Sequence, residues 1–333
     1  MLSRFRSHPL SDKIINALIE ATSAYEKMDV LMGEYPLTES SLYDILFTID
    51  IYYSYSELQP DIAQICQSLY IYDQNNVISR SINITNNCIE YVKNKLKQTY
   101  VLTGGDLFKI DRAIKSVSIV PLMPDDYSND VKCQIESVWS ILHNLYGPAR
   151  QYPLLLETAI AIYCFLILSK ECRVSMQTIT ILLATLYQNR CAFCGLHSQW
   201  ALSTDPRLGF ASMNIEDAIT HILYVLKQMW VQTAVLTRGL KRKQEEITQV
   251  IIHTESLRQI SAGFNELLAE NICIRNQDVA EKLCISNKTA IKNLKQLEQA
   301  KILYSIRKGR EIYYFNRILL DLLSETTEVP DSG

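Results

Sequence analysis

The chain has 333 residues, enough for two or three domains at roughly 100–200 residues each. With 48% hydrophobic and 21% charged residues it has ample apolar surface to bury, which excludes a disordered polymer, and its 10 Gly and 9 Pro favour helices over turn-rich sheet. Net charge is −3, yet Arg275 to Arg317 hold ten Lys/Arg against four Asp/Glu, so this segment carries +6 and the remainder −9: one end suits a polyanion and the rest does not.

The opening "MLSRFRSHPLSDKIINALIE" has no apolar h-region with a small-residue cleavage site, so no secretory signal is expected. Ser11 opens a helix in which Ile14, Leu18, Tyr25, Met28 and Met32 recur at helical spacing, with Gly33 at its C′ position. A second helix is expected from Ser40 to about Glu57 and a third from Asp61. The polar stretch Tyr72 to Asn87 reads as a loop with at most a short helix, and Cys88 to Leu102 as helix. "TGGDLFKIDRAIKSVSIVPLMPDDYSNDV" reads as a loop with one short strand or hairpin, because its glycines, prolines and alternating Ile114–Ile119 pattern break the helical period.

Helical pattern resumes from Ser128 to Leu145 and stops at "YGPARQYP". From Leu154 it runs into "AIAIYCFLILSKECRVSMQTITILLATLY", two apolar helices around a polar break. The longest apolar run, Ala159 to Leu168, has ten residues, short of the ~20 that cross a bilayer. A soluble, cytoplasmic chain without membrane contact is expected. Nine cysteines, an odd number without framework spacing, fit free thiols in a reducing compartment. There the "NIT" at Asn83 and "NKT" at Asn287 are not glycosylation signals. A loop with short helical pieces follows to about Met213, then helices from Asn214 to about Thr237 and from Leu240 to about His253.

The remaining segment reads as a separate module over 258–323, with a flexible tail at 324–333. In it Val279, Ala280 and Leu283 form the apolar stripe of a short helix, "CIS" is a tight connection, and Ser286 caps a second helix. Ala290, Ile291, Leu294 and Leu297 are expected on the core face of that second helix, a helix-turn-helix pattern. "ILYSI" and "EIYYF", joined by "RKGR", read as a hairpin, which makes the module a winged helix. Lys288, Lys292 and Lys295 line one face of the second helix, and Arg307, Lys308 and Arg310 crowd the hairpin tip, where cations would neutralise phosphates. Thr289, Asn293 and Gln296 could reach base edges. The other reading of this module is packing or dimerisation, with a basic face that is merely solvated.

In element order and local pattern, nearly the whole chain resembles the long form of the Fic (Fic/DOC) family. "CISNKTAIKNLKQLEQAKILYSIRKGREIYYFN" is similar to the family's C-terminal winged helix. "GGDLFKIDRAIKSVSIVPLMPDDYSNDV" sits at its flap hairpin. "IYYSYSELQ" lies on the inhibitory S-S-x-I-E-G helix, keeping only Ser54 and Glu57. The resemblance implies a mainly α fold: an N-terminal helical segment over 1–65, a Fic-like helical core over 66–255 with a small hairpin flap, and the winged helix. It also lays the family motif H-P-F-x-D/E-G-N-G-R-x-x-R on "SKECRVSMQTIT".

Each role that the resemblance implies is then missing its residue. Ser169 replaces the histidine base, Arg173 the acidic Mg²⁺ ligand, and Val174, Ser175 and Met176 the Gly-Asn-Gly turn that cradles phosphates. Gln177 and Thr180 replace the two arginines. No histidine lies between His143 and His197 and no glycine between Gly147 and Gly195, so no shifted alignment restores the motif. The expectation is a pseudoenzyme with no catalytic residues and no cofactor, acting as a regulatory or binding factor on DNA, or through a protein partner or homodimer. The alternatives are a protein AMP-transferase with a rebuilt site, which would need ATP and Mg²⁺, and a pseudoenzyme partner of an active Fic protein.

Other candidates carry less. Cys191, Cys194 and His197 in "CAFCGLH" have metal-like spacing but lack a second pair to complete a zinc site, so free thiols are expected. His143, His221 and His253 stand alone on helical patterns, "KRKQEE" at Lys241 reads as a solvated helix face, and "TGGD" lacks the Lys and Ser/Thr of a phosphate loop.

Overall fold

A computed structural model describes residues 10–33, 45, 48–49, 61–99, 103–116, 153–172, 174–175, 178, 214–254, 257 and 262–327. Among the described residues the chain is mainly helical with one three-stranded antiparallel sheet, and no helix is long and apolar enough to cross a membrane. It divides into two compact units, residues 1–29 with 74–232, and residues 30–73 with 233–333.

In the first unit, α1 (Asp12–Gly33) starts at Ser11, whose hydroxyl accepts from the Ile14 N–H at 3.4 Å, and it buries Ile14, Ala21 and Met28. It runs parallel to the start of α6 (Ile215–His253): Ser11 donates to Glu216, Lys13 pairs with Asp217, Glu20 with Lys227, and Tyr25 meets Trp230 edge-on at 5.5 Å. The apolar stretch of the sequence is α5 (Leu154–Cys172), in which Leu156, Ala159, Ile160, Ala161, Ile162, Tyr163, Cys164 and Leu166 are all buried. Residues 156–164 are buried without interruption, Glu157 and Thr158 included, so every side of this stretch is covered, as in an interior helix.

Two helices of this unit differ from the reading of the sequence. The segment read as a loop from Tyr72 is helical from Val77 onward, in α3 (Val77–Thr99), started by Asn76, whose side-chain Oδ1 accepts from the Ser79 N–H at 3.2 Å. Its buried stripe includes Ser79, Ser81 and Thr85 beside Ile82, Ile89 and Val92, so small polar residues hide the apolar period. The segment read as loop and strand contains α4 (Gly104–Lys115), which buries Leu107, Ile110, Asp111 and Ile114. Its two glycines fall in the first turn, where a capping box fixes the start. The Thr103 hydroxyl accepts from the Asp106 N–H at 3.3 Å and the Asp106 carboxylate accepts from the Thr103 N–H at 2.9 Å. Ile114 is thus helical, and residues 117–150, with the rest of the expected flap, lie outside the described residues.

A hydrophobic core gathers several elements of the second unit. Ile247 and Ile251 from the end of α6, Leu257, and Phe264, Leu267 and Leu268 of α7 (Ala262–Glu270) meet Val279, Ala290, Leu294, Leu297 and Tyr314. The sheet is β1 (Cys273–Arg275), β2 (Leu303–Lys308) and β3 (Glu311–Asn316) in the order β1-β3-β2, with α8 (Asn276–Lys282) and α9 (Asn287–Gln299) between β1 and β2. Asn316 is buried and fully used. Its amide donates to the Leu268 carbonyl at 2.8 Å, and its Oδ1 accepts from Ile318 and Leu319 N–H at the start of α10 (Arg317–Thr327). The break expected between helices at 237–240 does not occur. α6 runs through Gly239, whose missing Cβ leaves room for Leu322 of α10: a Cβ there would lie 2.8 Å from Leu322 Cδ1.

α2 (Ile62–Tyr70), capped by Asp61 accepting from the Gln64 N–H at 2.6 Å, belongs to the same unit. Its Tyr70 ring meets Phe315 of β3 edge-on at 6.3 Å, and Phe315 stacks on Tyr304 of β2 at 5.3 Å.

Candidate nucleic-acid interface

α8 and α9 are joined by four residues whose geometry follows from two local devices. Cys284 takes φ 51°, and the Ile285 N–H reaches back to the Ala280 carbonyl at 3.1 Å, which ends α8 in a left-handed cap. Ser286 then starts α9, its hydroxyl accepting from the Thr289 N–H at 3.1 Å. Across the junction the Asn276 amide donates to Asn287 Oδ1 at 3.0 Å, tying the first residues of the two helices together. The inner side of α9, Ala290, Leu294 and Leu297, is fully buried.

The outer side of α9 holds Lys288, Lys292 and Lys295, all exposed, and among the described residues none of the three makes an ion pair. Spacings of four and three residues place them on one stripe. Ile291, expected in the core, is 37% exposed beside that stripe. The reason is angular: Ala290, Leu294 and Leu297 already fill the width of α9 that faces the core, and the next residue along falls outside it. Of the polar pair, Thr289 is exposed with its hydroxyl against the Ser286 hydroxyl at 2.8 Å, and Asn293 is half-buried.

The hairpin pairs Lys308 with Glu311, leaving Gly309 and Arg310 as a two-residue turn with Gly309 at φ 62°. Glycine at that first position relieves the strain of a left-handed residue. Alternation along β2 then separates the cations. Leu303 enters the core shared with α9, and Ser305 gives both its N–H (3.1 Å) and its hydroxyl (2.6 Å) to Glu298 of α9, so Arg307 belongs to the α9 side of the sheet. Tyr304 belongs to the opposite face, as does Lys308, whose ammonium lies 3.6 Å from Asp73, just past α2.

The neighbouring carboxylates sharpen this division. Arg275 forms a two-bond pair with Asp278 at 3.0 Å and lies 3.6 Å from Glu311, so its charge is spent inside the module. Glu311 also accepts from the Tyr313 hydroxyl at 2.5 Å. The exposed cations on the α9 side therefore include Lys288, Lys292, Lys295 and Arg307, with Arg310 in the exposed turn. Arg307 Nε donates to the Gly309 carbonyl at 3.3 Å, which holds the guanidinium near the turn. The apolar Ile291 within this cation group had no signal in the sequence, since its spacing fits both a wide core face and the edge of one.

The motif positions of the first unit fare differently. Ser169 is helical within α5. Val174 is 2% exposed, and the Ser175 N–H donates to Asp111 of α4 at 2.7 Å. Glu57, Arg173, Met176, Gln177 and Thr180 lie outside the described residues, as do Cys191, Cys194, His197 and His143. His221 packs near the Tyr224 ring, His253 sits against Gln249 at 3.1 Å, and among the described residues no group of three His, Cys, Asp or Glu gathers to hold a metal. No protein-family model matches the chain, and no curated protein matches it either.

Proposed function

We propose that this chain is a Fic-like scaffold without the family's chemistry, and that it acts as a regulatory factor contacting DNA through a C-terminal winged helix. The observation that carries the DNA reading is the set of exposed cations on one side of the module: Lys288, Lys292 and Lys295 on α9, with Arg307 from the same side of the sheet. Cations arranged along an exposed helix and the adjoining hairpin fit phosphates on either side of a groove. Between them Ile291 offers an apolar side chain for a thymine methyl, and Asn293 and Thr289 offer donors and acceptors for base edges. The loss of chemistry rests on Ser169, Arg173, Gln177 and Thr180 standing where a base, a metal ligand and two phosphate clamps are required.

The test is a binding titration against a duplex of mixed sequence over a salt series. Affinity should fall steeply with salt, and Lys288→Ala/Lys292→Ala should flatten the log–log slope by about 2, roughly 0.9 for each phosphate no longer neutralised. No binding at about 50 mM salt would assign the module to protein contacts instead, as a partner subunit or homodimer interface. Micromolar binding of ATP with Mg²⁺ in calorimetry would overturn the empty-site half of the proposal and favour a rebuilt AMP-transferase.

A further inference from the structure

Asp111 lies on the inner side of α4 with 0% of its surface exposed. Its Oδ1 accepts from the Ser175 N–H at 2.7 Å and from the Thr178 hydroxyl at 3.0 Å, and the Lys115 ammonium lies 2.6 Å from Oδ2. Ser175 accepts from the Thr178 N–H at 3.2 Å, and the two hydroxyls meet at 2.7 Å, so Ser175 donates to Thr178 while Thr178 donates to Asp111. In a capping box the carboxylate comes from within the same first turn; here it comes from 64 residues away. A backbone N–H, a hydroxyl and a lysine ammonium converging on the two oxygens of one carboxylate form the kind of donor set that proteins offer to a phosphate or sulfate.

We propose that Asp111 is a resident anion, a carboxylate supplied by α4 that fills this set of donors and bars an exogenous phosphate from them. Entry of a phosphate would bring a second anion against a buried carboxylate, and neither could keep all three donors. The buried Val174 beside Ser175 supports the same closure. Naming the barred ligand as a nucleotide phosphate rests on the Fic-like reading, which lays its phosphate turn on Val174, Ser175 and Met176; occupancy of the donors by Asp111 does not.

The experiment compares the wild-type chain with Asp111→Ala and Asp111→Asn in thermal unfolding, with inorganic phosphate or with chloride at matched ionic strength. Asp111→Ala should lower the midpoint by roughly 10 °C, as expected when one partner of a buried ion pair is removed, and Asp111→Asn by less because its amide oxygen still receives the Ser175 N–H. Saturating phosphate should return about 5 °C to Asp111→Ala and nothing specific to the wild type. An equal response to phosphate and chloride in Asp111→Ala, or a phosphate response as large in the wild type, overturns the proposal. If Asp111→Ala is recovered unfolded, refolding in phosphate against chloride decides it: recovery in phosphate alone supports the resident anion, and equal failure refutes it. Addition of ATP separates the two readings, because phosphate rescue with no tighter response to ATP would leave the resident anion standing and remove the nucleotide.

Discussion

Arg307 and Lys308 are adjacent in sequence, yet strand alternation assigns them to opposite faces of the hairpin, and this yields a sharp expectation for DNA binding. Arg307 is on the side of α9 and its lysines; Lys308 is on the other face, engaged with Asp73 at 3.6 Å. That pair is about half exposed on both sides, with side-chain exposures of 53% and 42%, so it contributes little to folding and its removal leaves the module intact. One phosphate contact contributes about 0.9 to the log–log salt slope, so between 50 and 200 mM salt it is worth roughly a 3.5-fold change in affinity. Arg307→Ala should therefore weaken binding at 50 mM and flatten the slope by about 0.9, with its deficit shrinking some 3.5-fold by 200 mM. Lys308→Ala should leave the slope within about 0.3 of the wild type. Fluorescence anisotropy on a labelled duplex reads both, with unfolding midpoints as the control for stability. Equal slope changes in the two variants would refute the assignment of faces, and no change in either would refute a role for the hairpin.

Burial pushes the Asp106 carboxyl up, but the Tyr91 hydroxyl at 2.5 Å, the Thr103 N–H and hydroxyl, and the charge of Lys95 outweigh it and hold it below its usual range. A lowered folded value means stabilisation present above the unfolded value of about 4 and lost as pH falls through the folded one. Asp106→Asn should cost roughly 1–2 kcal/mol at pH 7 in denaturant titration, and the gap to wild type should close in acid; a gap independent of pH would contradict this. Gly239→Ala gains up to about 1 kcal/mol of helix propensity but requires Leu322 to move, so in a double-mutant cycle it should be more favourable by about 1 kcal/mol in a Leu322→Ala background than in the wild type. Among the described cysteines, exposed Cys284 should alkylate first at pH 7.5. Burial raises the Cys66 thiol well above its usual range, Cys88 to about 11 and Cys164 to about 12, so peptide mapping should find these three labelled only after unfolding.

Where apolar period, cap and turn residue agree locally, the structure could be read in advance. α1 forms with Ser11 before it and Gly33 at its end, and α8, α9 and the hairpin form around Cys284, Ser286 and Gly309, because each of these residues satisfies a backbone requirement within four or five positions. The residue types at 169–180 are likewise read directly from the sequence: Ser169 is no general base near neutral pH, and the cation Arg173 repels a metal ion. Tertiary structure decided the rest. α3 and α4 are helical because small polar side chains and a capping box serve where the apolar count is weak, and β1, three residues long, exists only because β3 offers its edge. Ile291 lies among cations rather than in the core because three neighbours already fill that side of α9. Whether Arg307 or Lys308 faces α9 depends on register, and the meeting of Asp111 with Ser175 spans 64 residues. Such pairings are set by which surfaces exclude water together, a property of the packed chain that no local pattern encodes.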